Sequence, residues 1–356
     1  MHLFVNTGGG DAPGLNAVIR ALTLGAVHRG WRVTGIRYGY EGLLQDDLMP
    51  LGPDQVRGIA HLGGTILGTL NKGNPFEYPL EIDGQTRLVD RSDEVVERFR
   101  ALGGDALIAI GGDGSLRIAR RFMDKGIPVV GVPKTIDNDL ACTSFTFGFD
   151  TAVSVATEAI GRLHTTAESH RRVMVVELMG RYAGWIALNA GIAGGADVIL
   201  IPEIDFDIER VCDKIRQREA NGRTFSIVCV AEGAKPRGGE LTVAGSELGR
   251  EVRLGGIAEK VALEIAQRTG KETRHVVLGH IQRGGTPTAF DRMLALRFGA
   301  AAVRTAAAGE FGRMVAYQPP DMVSVPIEAA IAEMRSVPLD CDTVQTAREI
   351  GICLGD

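Results

Sequence analysis

Residues 3–14 read Leu3-Phe4-Val5-Asn6-Thr7-Gly8-Gly9-Gly10-Asp11-Ala12-Pro13-Gly14. A short apolar run meets a glycine-rich turn, and an amphipathic segment, Leu15 to His28, follows. The same order recurs along the chain. Ala106 to Ile110 leads through Gly111-Gly112-Asp113-Gly114-Ser115 into Leu116 to Lys125. Pro128 to Val132 runs into Pro133-Lys134-Thr135-Ile136-Asp137-Asn138-Asp139, and Val173 to Leu178 into Met179-Gly180-Arg181. Phe225 to Ala231 precedes Glu232-Gly233, and His275 to Leu278 precedes the turn His280 to Gly285. Strands alternating with helices of about 10–15 residues predict an α/β protein with largely parallel sheets and helices on both faces. A chain of 356 residues favours two such three-layer lobes over one core. Ligands of these sheets bind beyond the carboxyl ends of the strands. Each of these polar motifs follows such an end, so a single active site is expected.

Bulk composition narrows the partners. Hydrophobic residues at 45% and charged residues at 23% suit a soluble globular chain. The net charge of -5, with no basic tract, argues against a nucleic-acid partner. An acidic chain still binds anions where its cations share one cleft. Five widely spaced cysteines without a C-x-x-C pattern argue against a disulfide framework or zinc site and fit a reducing compartment. No charged leader precedes a long apolar run, and no stretch approaches the ~18 apolar residues of a membrane span. A cytoplasmic location with no membrane partner is expected.

Two turns, Gly8 to Gly14 and Gly111 to Ser115, stand between a strand and a helix without the Walker pattern or a dinucleotide fingerprint. Glycines there let backbone N–H groups approach an anion, and the helix start favours negative charge. Each turn also carries an aspartate, Asp11 or Asp113, which beside a phosphate makes sense with Mg²⁺ between them. The other reading is a tight turn whose Asp or Ser caps the helix.

Asp137 and Asp139 flank Asn138 just after a strand. Phosphoryl transfer to an alcohol needs a base, a metal and cations on the transferring group, and two carboxylates two residues apart divide such roles. The heptapeptide alone is equally an Asx-turn. Candidate phosphate-binding cations are Arg172, Arg181, Arg274 and Arg283, with His280; each alone is more often a solvated charge. The turn His280-Ile281-Gln282-Arg283-Gly284-Gly285 is more specific. It sets an imidazole and a guanidinium three residues apart beside a glycine pair. A serine-hydrolase elbow is absent, and His170 lacks metal-ligand spacing.

In order, these motifs resemble the 6-phosphofructokinase family: Gly9 to Asn16, Gly111 to Ser115, Pro133 to Asp139, Met179-Gly180-Arg181 and His280 to Gly285, from residue 3 to about residue 315. The resemblance implies ATP-dependent phosphorylation of fructose 6-phosphate at its 1-hydroxyl, a glycolytic step. By the same resemblance Asp137 is the general base, with Asp139 and Arg181 as further catalytic residues. Asp113 binds Mg²⁺, and Gly10, Lys72, Asp113, Gly114 and Ser115 meet the nucleotide. Thr135, Asp137, Met179, Gly180, Arg181, Glu232, His280 and Arg283 meet the sugar phosphate. Arg172 and Arg274 reach sugar phosphate in a neighbouring subunit of a homotetramer. The resemblance also divides the chain. Residues 1–148 plus about 282–335 form a larger ATP-binding lobe, and about 149–281 plus 336–356 a smaller sugar-phosphate lobe, with the active site in the cleft between them.

Two positions that separate donors in the family disagree here. Gly114 matches ATP users, where pyrophosphate users typically carry Asp; Lys134 matches pyrophosphate users. An Asp at 114 would bring bulk and charge to the α-phosphate position, whereas Lys134 does not exclude ATP. Exclusion is the stronger determinant, so ATP is expected. Lys72 stands near where bacterial relatives place a phosphate-binding Arg. Leu24 and His164 stand where some members carry effector-site arginines. The tail beyond about residue 320 resembles the ending of a mixed-donor bacterial subgroup. The rival readings are a pyrophosphate-dependent phosphotransferase and, from another class, a non-catalytic regulatory subunit. The intact Asp113, Asp137 and Arg181 oppose the second.

Overall fold

The structure is a computed structural model that describes residues 1–70, 73–82, 84–245 and 253–356. Two sheets organise it. The larger has seven strands in the spatial order Asp321–Pro326, Arg313–Gln318, Val129–Pro133, Ala106–Gly111, His2–Thr7, Arg32–Ile36 and Leu48–Leu51. Its inner pairs are parallel; only the two outermost strands run antiparallel to their neighbours. The smaller sheet is parallel throughout, in the order Thr273–Val277, Val173–Leu178, Ser226–Ala231 and Val198–Leu200.

The central strands of both sheets are buried on both faces, which is why they read as unbroken apolar runs. The period-two alternation sorts side chains between faces. Leu3, Val5, Ile108 and Val130 pack with Phe147 and Phe298 on one side of the large sheet. Phe4, Leu107, Val129 and Met314 pack with Phe122 on the other. In the small sheet Met174, Val176 and Cys229 meet Ile186 on one face, while Val175, Val228 and Val230 meet Ile257 on the other. Ala12 and Ile136, from the loops of the large sheet, join the first of those small-sheet clusters.

Register sets the loops level. Thr7 pairs with Ile110, and Gly111 with Pro133, so three loops leave the large sheet side by side. Leu178 pairs with Ala231, and Val277 with Glu177, so three more leave the small sheet together. The helix Phe149–His170 takes the chain across to the small sheet, and Ala289–Ala307 follows its return. The buried Asp291 ties these two helices together. Its Oδ2 accepts from the Thr151 N–H at 2.7 Å and the Thr151 hydroxyl at 2.6 Å. Burial pushes its carboxyl up to about 6. The returning helix lies close against Leu15–His28: a Cβ on Gly299 would stand 2.4 Å from the Val18 carbonyl oxygen, so only glycine fits.

Several sequence expectations are sharpened. The helix expected over Leu116 to Lys125 begins earlier, at Asp113, and the tail, which lies beyond the motifs, contains a helix at Asp342–Glu349. The polar stretch 68–93 contains a two-stranded ribbon, Tyr78–Ile82 with Gln85–Val89. The tail also protects a sheet edge, because Cys353 forms a parallel bridge to Val198 and covers the outer strand of the small sheet. All five cysteines are free thiols. Among the described residues no helix is long and apolar enough to cross a membrane.

Candidate active site

The two glycine turns interlock at the carboxyl edge of the large sheet. Gly8 N–H donates to the Ile110 carbonyl at 2.9 Å. The Ser115 side chain fills the space beside both turns: a Cβ on Gly8 would lie 2.5 Å from its Oγ, and one on Gly111 2.2 Å from its Cβ. The capping alternative is not what forms. Gly14 caps the helix Leu15–His28 and Gly112 caps Asp113–Asp124, neither with a side-chain hydrogen bond. No side chain caps either helix start by a hydrogen bond, which favours an anion there. Around Gly114 the space is open, with nothing within 4 Å of the position a Cβ would take.

Asp113 begins its helix partly exposed and pairs with Arg117 Nε at 3.0 Å. Among the described residues no group of three or more His, Cys, Asp or Glu forms a metal cage. Mg²⁺ takes one or two carboxylates and relies on substrate phosphates for the rest. Asp113 is the residue that fits such a role.

The Asp137 turn is held by its neighbours. Asp137 N–H donates to Thr135 Oγ1 at 3.1 Å, so the local turn is built on the threonine. Asn138 is buried in a left-handed conformation, φ 53°, and its Oδ1 accepts from Thr146 N at 3.0 Å, eight residues on. Asn138 thus makes a longer-range tie, while the Asp139 carboxyl also accepts from its own backbone N–H. Asp139 is buried, and desolvation followed by the Asp137 charge pushes its carboxyl up. Asp113 lies within its electrostatic reach as well.

Lys134 is only 4% exposed, and its ammonium donates to the Gly10 carbonyl. Burial, then the Arg283 charge, pulls it down to about 8, against the pull of Asp11, Asp137 and Asp139. Arg283 Nη1 in turn donates to the Asp11 carbonyl at 3.2 Å, and a Cβ on Gly10 would sit 2.9 Å from that nitrogen. The turn from the small-sheet rim is therefore bonded to the glycine turn of the large sheet. Glu232 is pushed up by burial and by Glu177, and held down by Arg283 and Arg181. Electrostatic influence thus runs from Asp113 through Asp139, Asp137, Lys134 and Arg283 to Glu232 and Arg181.

Met179, Gly180 and Arg181 leave the small sheet beside Glu232; Gly180, at φ 140°, accepts from Gly233 N at 3.1 Å. His280 lies exposed in the same short turn as Arg283. Arg172 and Arg274 are elsewhere. They sit at the amino ends of Val173–Leu178 and Thr273–Val277, both bonded to Glu272, at 2.9 and 2.8 Å. A strand of six residues puts about 20 Å between them and the carboxyl rim. Lys72 lies outside the described residues. Gln282 is a residue that sequence reasoning missed. It is fully buried, and its Oε1 accepts from Met179 N at 3.3 Å while its Nε2 donates to the Gly279 carbonyl at 3.1 Å. An amide between His280 and Arg283 was the available signal.

The phosphofructokinase family model matches residues 2–306. This chain belongs to the phosphofructokinase family. It is 52% identical to the ATP-dependent 6-phosphofructokinase 1 of Synechocystis sp., over 98% of this chain and 97% of that protein. It is also 53% identical to the pyrophosphate–fructose 6-phosphate 1-phosphotransferase of Streptomyces coelicolor, over 95% of this chain and 96% of that protein. A phosphofructokinase from Pichia pastoris, solved in the T-state, superposes with a TM-score of 0.80 at 31% identity. That match covers 98% of this chain and 36% of the longer yeast chain. Family membership accounts for the ordered motifs, but relatives named for both donors stand at nearly equal identity.

Proposed function

We propose that this chain transfers the terminal phosphoryl group of ATP to the 1-hydroxyl of fructose 6-phosphate, giving fructose 1,6-bisphosphate and ADP. The observation that carries the choice of donor is the open space at Gly114, beside a helix start with no side-chain cap. A nucleotide extends past its terminal phosphates, and this is where room and N–H donors are available to it. Gly10 and Ser115 shape the same loops.

Asp137 takes the proton of the sugar's 1-hydroxyl. The hydroxyl oxygen forms the new bond to phosphorus as the bond to the ADP oxygen breaks. Arg181 supports charge on the transferring group, and Asp139, whose carboxyl burial pushes up, is the second carboxylate of the turn beside Asp137. Asp113 would hold Mg²⁺, which when bound neutralises donor phosphates. Thr135, Met179, Gly180, Glu232, His280 and Arg283 surround the sugar phosphate. Arg172 and Arg274, at the far end of the small sheet, serve the site of a neighbouring subunit in a homotetramer. Residues 1–148 with about 282–335 act as the donor lobe, and about 149–281 with 336–356 as the acceptor lobe.

Pyrophosphate is the second reading, favoured by Lys134. Its ammonium is committed to the Gly10 carbonyl and buried, so it braces the donor loop without filling the nucleotide's space. A coupled assay on fructose 6-phosphate with each donor decides between them. ATP is expected to give the higher kcat/KM; pyrophosphate turnover at least as efficient overturns the assignment.

A further inference from the structure

Arg335 lies beyond the region that the family model matches, yet it is bonded to the catalytic turn. Its backbone N–H donates to the Asp139 carbonyl at 2.8 Å. Its guanidinium Nη1 donates to the carbonyls of Ser144, at 2.7 Å, and Thr143, at 3.3 Å. The same guanidinium lies over the Trp185 ring, 4.7 Å from the centroid, and Trp185 Nε1 donates to the Arg335 carbonyl at 3.1 Å. Trp185 opens a helix four residues after Arg181. Two residues beyond Arg335, Val337 N–H donates to Glu203 Oε1 at 2.7 Å, and that carboxylate also accepts from Gly184 N at 3.0 Å. One short segment thus grips the loop that follows Asp137 and the helix start that follows Arg181.

A half-buried guanidinium facing carbonyls and an indole face, with desolvation drawing its pKa down, is a costly choice for a surface tail. A planar fork that bonds two carbonyls while stacking on a ring fixes direction as well as distance, which an apolar residue cannot do. Phosphoryl transfer is largely a positioning problem. Here the base comes from a loop of the large sheet and the supporting arginine from a loop of the small one.

We propose that Arg335 is a positioning residue: it holds the Asp137–Asp139 turn and the Gly180–Arg181 turn in the relative placement that transfer requires. This rests on the function proposed above, so wild-type turnover is measured first, with whichever donor the enzyme uses. No turnover of fructose 6-phosphate with either donor defeats that function and this inference together. With turnover in hand, Arg335→Met removes the guanidinium with its donors to Thr143 and Ser144 and its contact with the Trp185 face, while the backbone N–H to Asp139 remains. The expected result is a fall in kcat of about ten- to a hundredfold, with KM for sugar and donor within about threefold and the melting temperature nearly kept. Arg335→Lys, which retains a donor, is expected to recover part of kcat. Unchanged kcat in folded Arg335→Met overturns the proposal, as does a loss shared between stability and KM with no recovery in Arg335→Lys. If Arg335→Met does not fold, Trp185→Phe removes the indole donor and part of the ring face beneath the guanidinium. A smaller drop confined to kcat supports the role, and no drop overturns it.

Discussion

At the carboxyl edge of the large sheet the chain presents glycines, two helix starts capped by backbone alone, and open room at Gly114. At the carboxyl edge of the small sheet it presents Glu232 under the charges of Arg181 and Arg283, with His280 in the same turn as Arg283. A phosphate chain that must be approached closely and admitted at full length is met with N–H groups and space. On the proposed function, a small sugar phosphate that must be held in one pose would be met with cations. The difference implies that the donor is chosen by what the rim leaves out, and the acceptor by what the rim supplies.

The largest effect belongs to the residue both rims serve. Asp137→Ala is expected to lower kcat by about 10²–10⁴-fold while calorimetric binding of fructose 6-phosphate persists. A rate near wild type removes Asp137 from its role and leaves the two rims with no shared centre. Next comes the empty place. Gly114→Asp fits the protein itself, since nothing crowds that position. Its carboxylate should nevertheless cost about a hundredfold in kcat/KM for ATP through charge repulsion, with KM for sugar little changed. Equal ATP kinetics would break the idea that this rim selects by exclusion.

The amino end of the small sheet gives a third contrast. Arg274→Ala is expected to raise KM for fructose 6-phosphate by about tenfold without touching kcat. Mixing it with Asp137→Ala subunits should restore activity at low sugar, because some mixed sites draw each residue from an intact chain. No recovery on mixing shows that Arg274 does not serve a neighbour.

The smallest effect is on stability. Lys134 titrates at about 8 in the fold against 10.5 in the open chain. Between those values the unfolded chain holds a proton that the folded one has shed, so this residue's contribution to stability rises with pH. Denaturant unfolding should show wild type gaining on Lys134→Met from pH 7 to pH 10, by at most about 3 kcal/mol. Parallel curves would mean that the buried ammonium stays charged.

Much of this was legible in the sequence because strand ends and glycine turns are local signals. The segments Leu15–His28 and Val173–Leu178 fall where apolar periodicity sets them. The convergence of Gly8 to Gly14 with Gly111 to Ser115 follows from parallel register. The ties between distant segments were not legible. Asn138 bonding Thr146, Gln282 bonding Met179, and Lys134 turning its ammonium onto Gly10 each depend on folding of the loops around them. Nor does local pattern separate Arg283, bonded into the donor loop, from Arg172 and Arg274, about 20 Å away at the opposite sheet end. All three are arginines close to strands, and only the direction of the strand tells them apart.

The strand Arg313–Gln318 joins the large sheet beside Val129–Pro133, and the bridge from Cys353 closes the edge of the small one. During synthesis the Val129–Pro133 strand therefore waits as an open edge while roughly 180 further residues leave the ribosome. The edge of the small sheet is made later and closes last, when Cys353 reaches Val198. Neither half can finish before the other has been made. The folding problem is one of late closure, and a stalled or shortened product would expose two sticky edges at once.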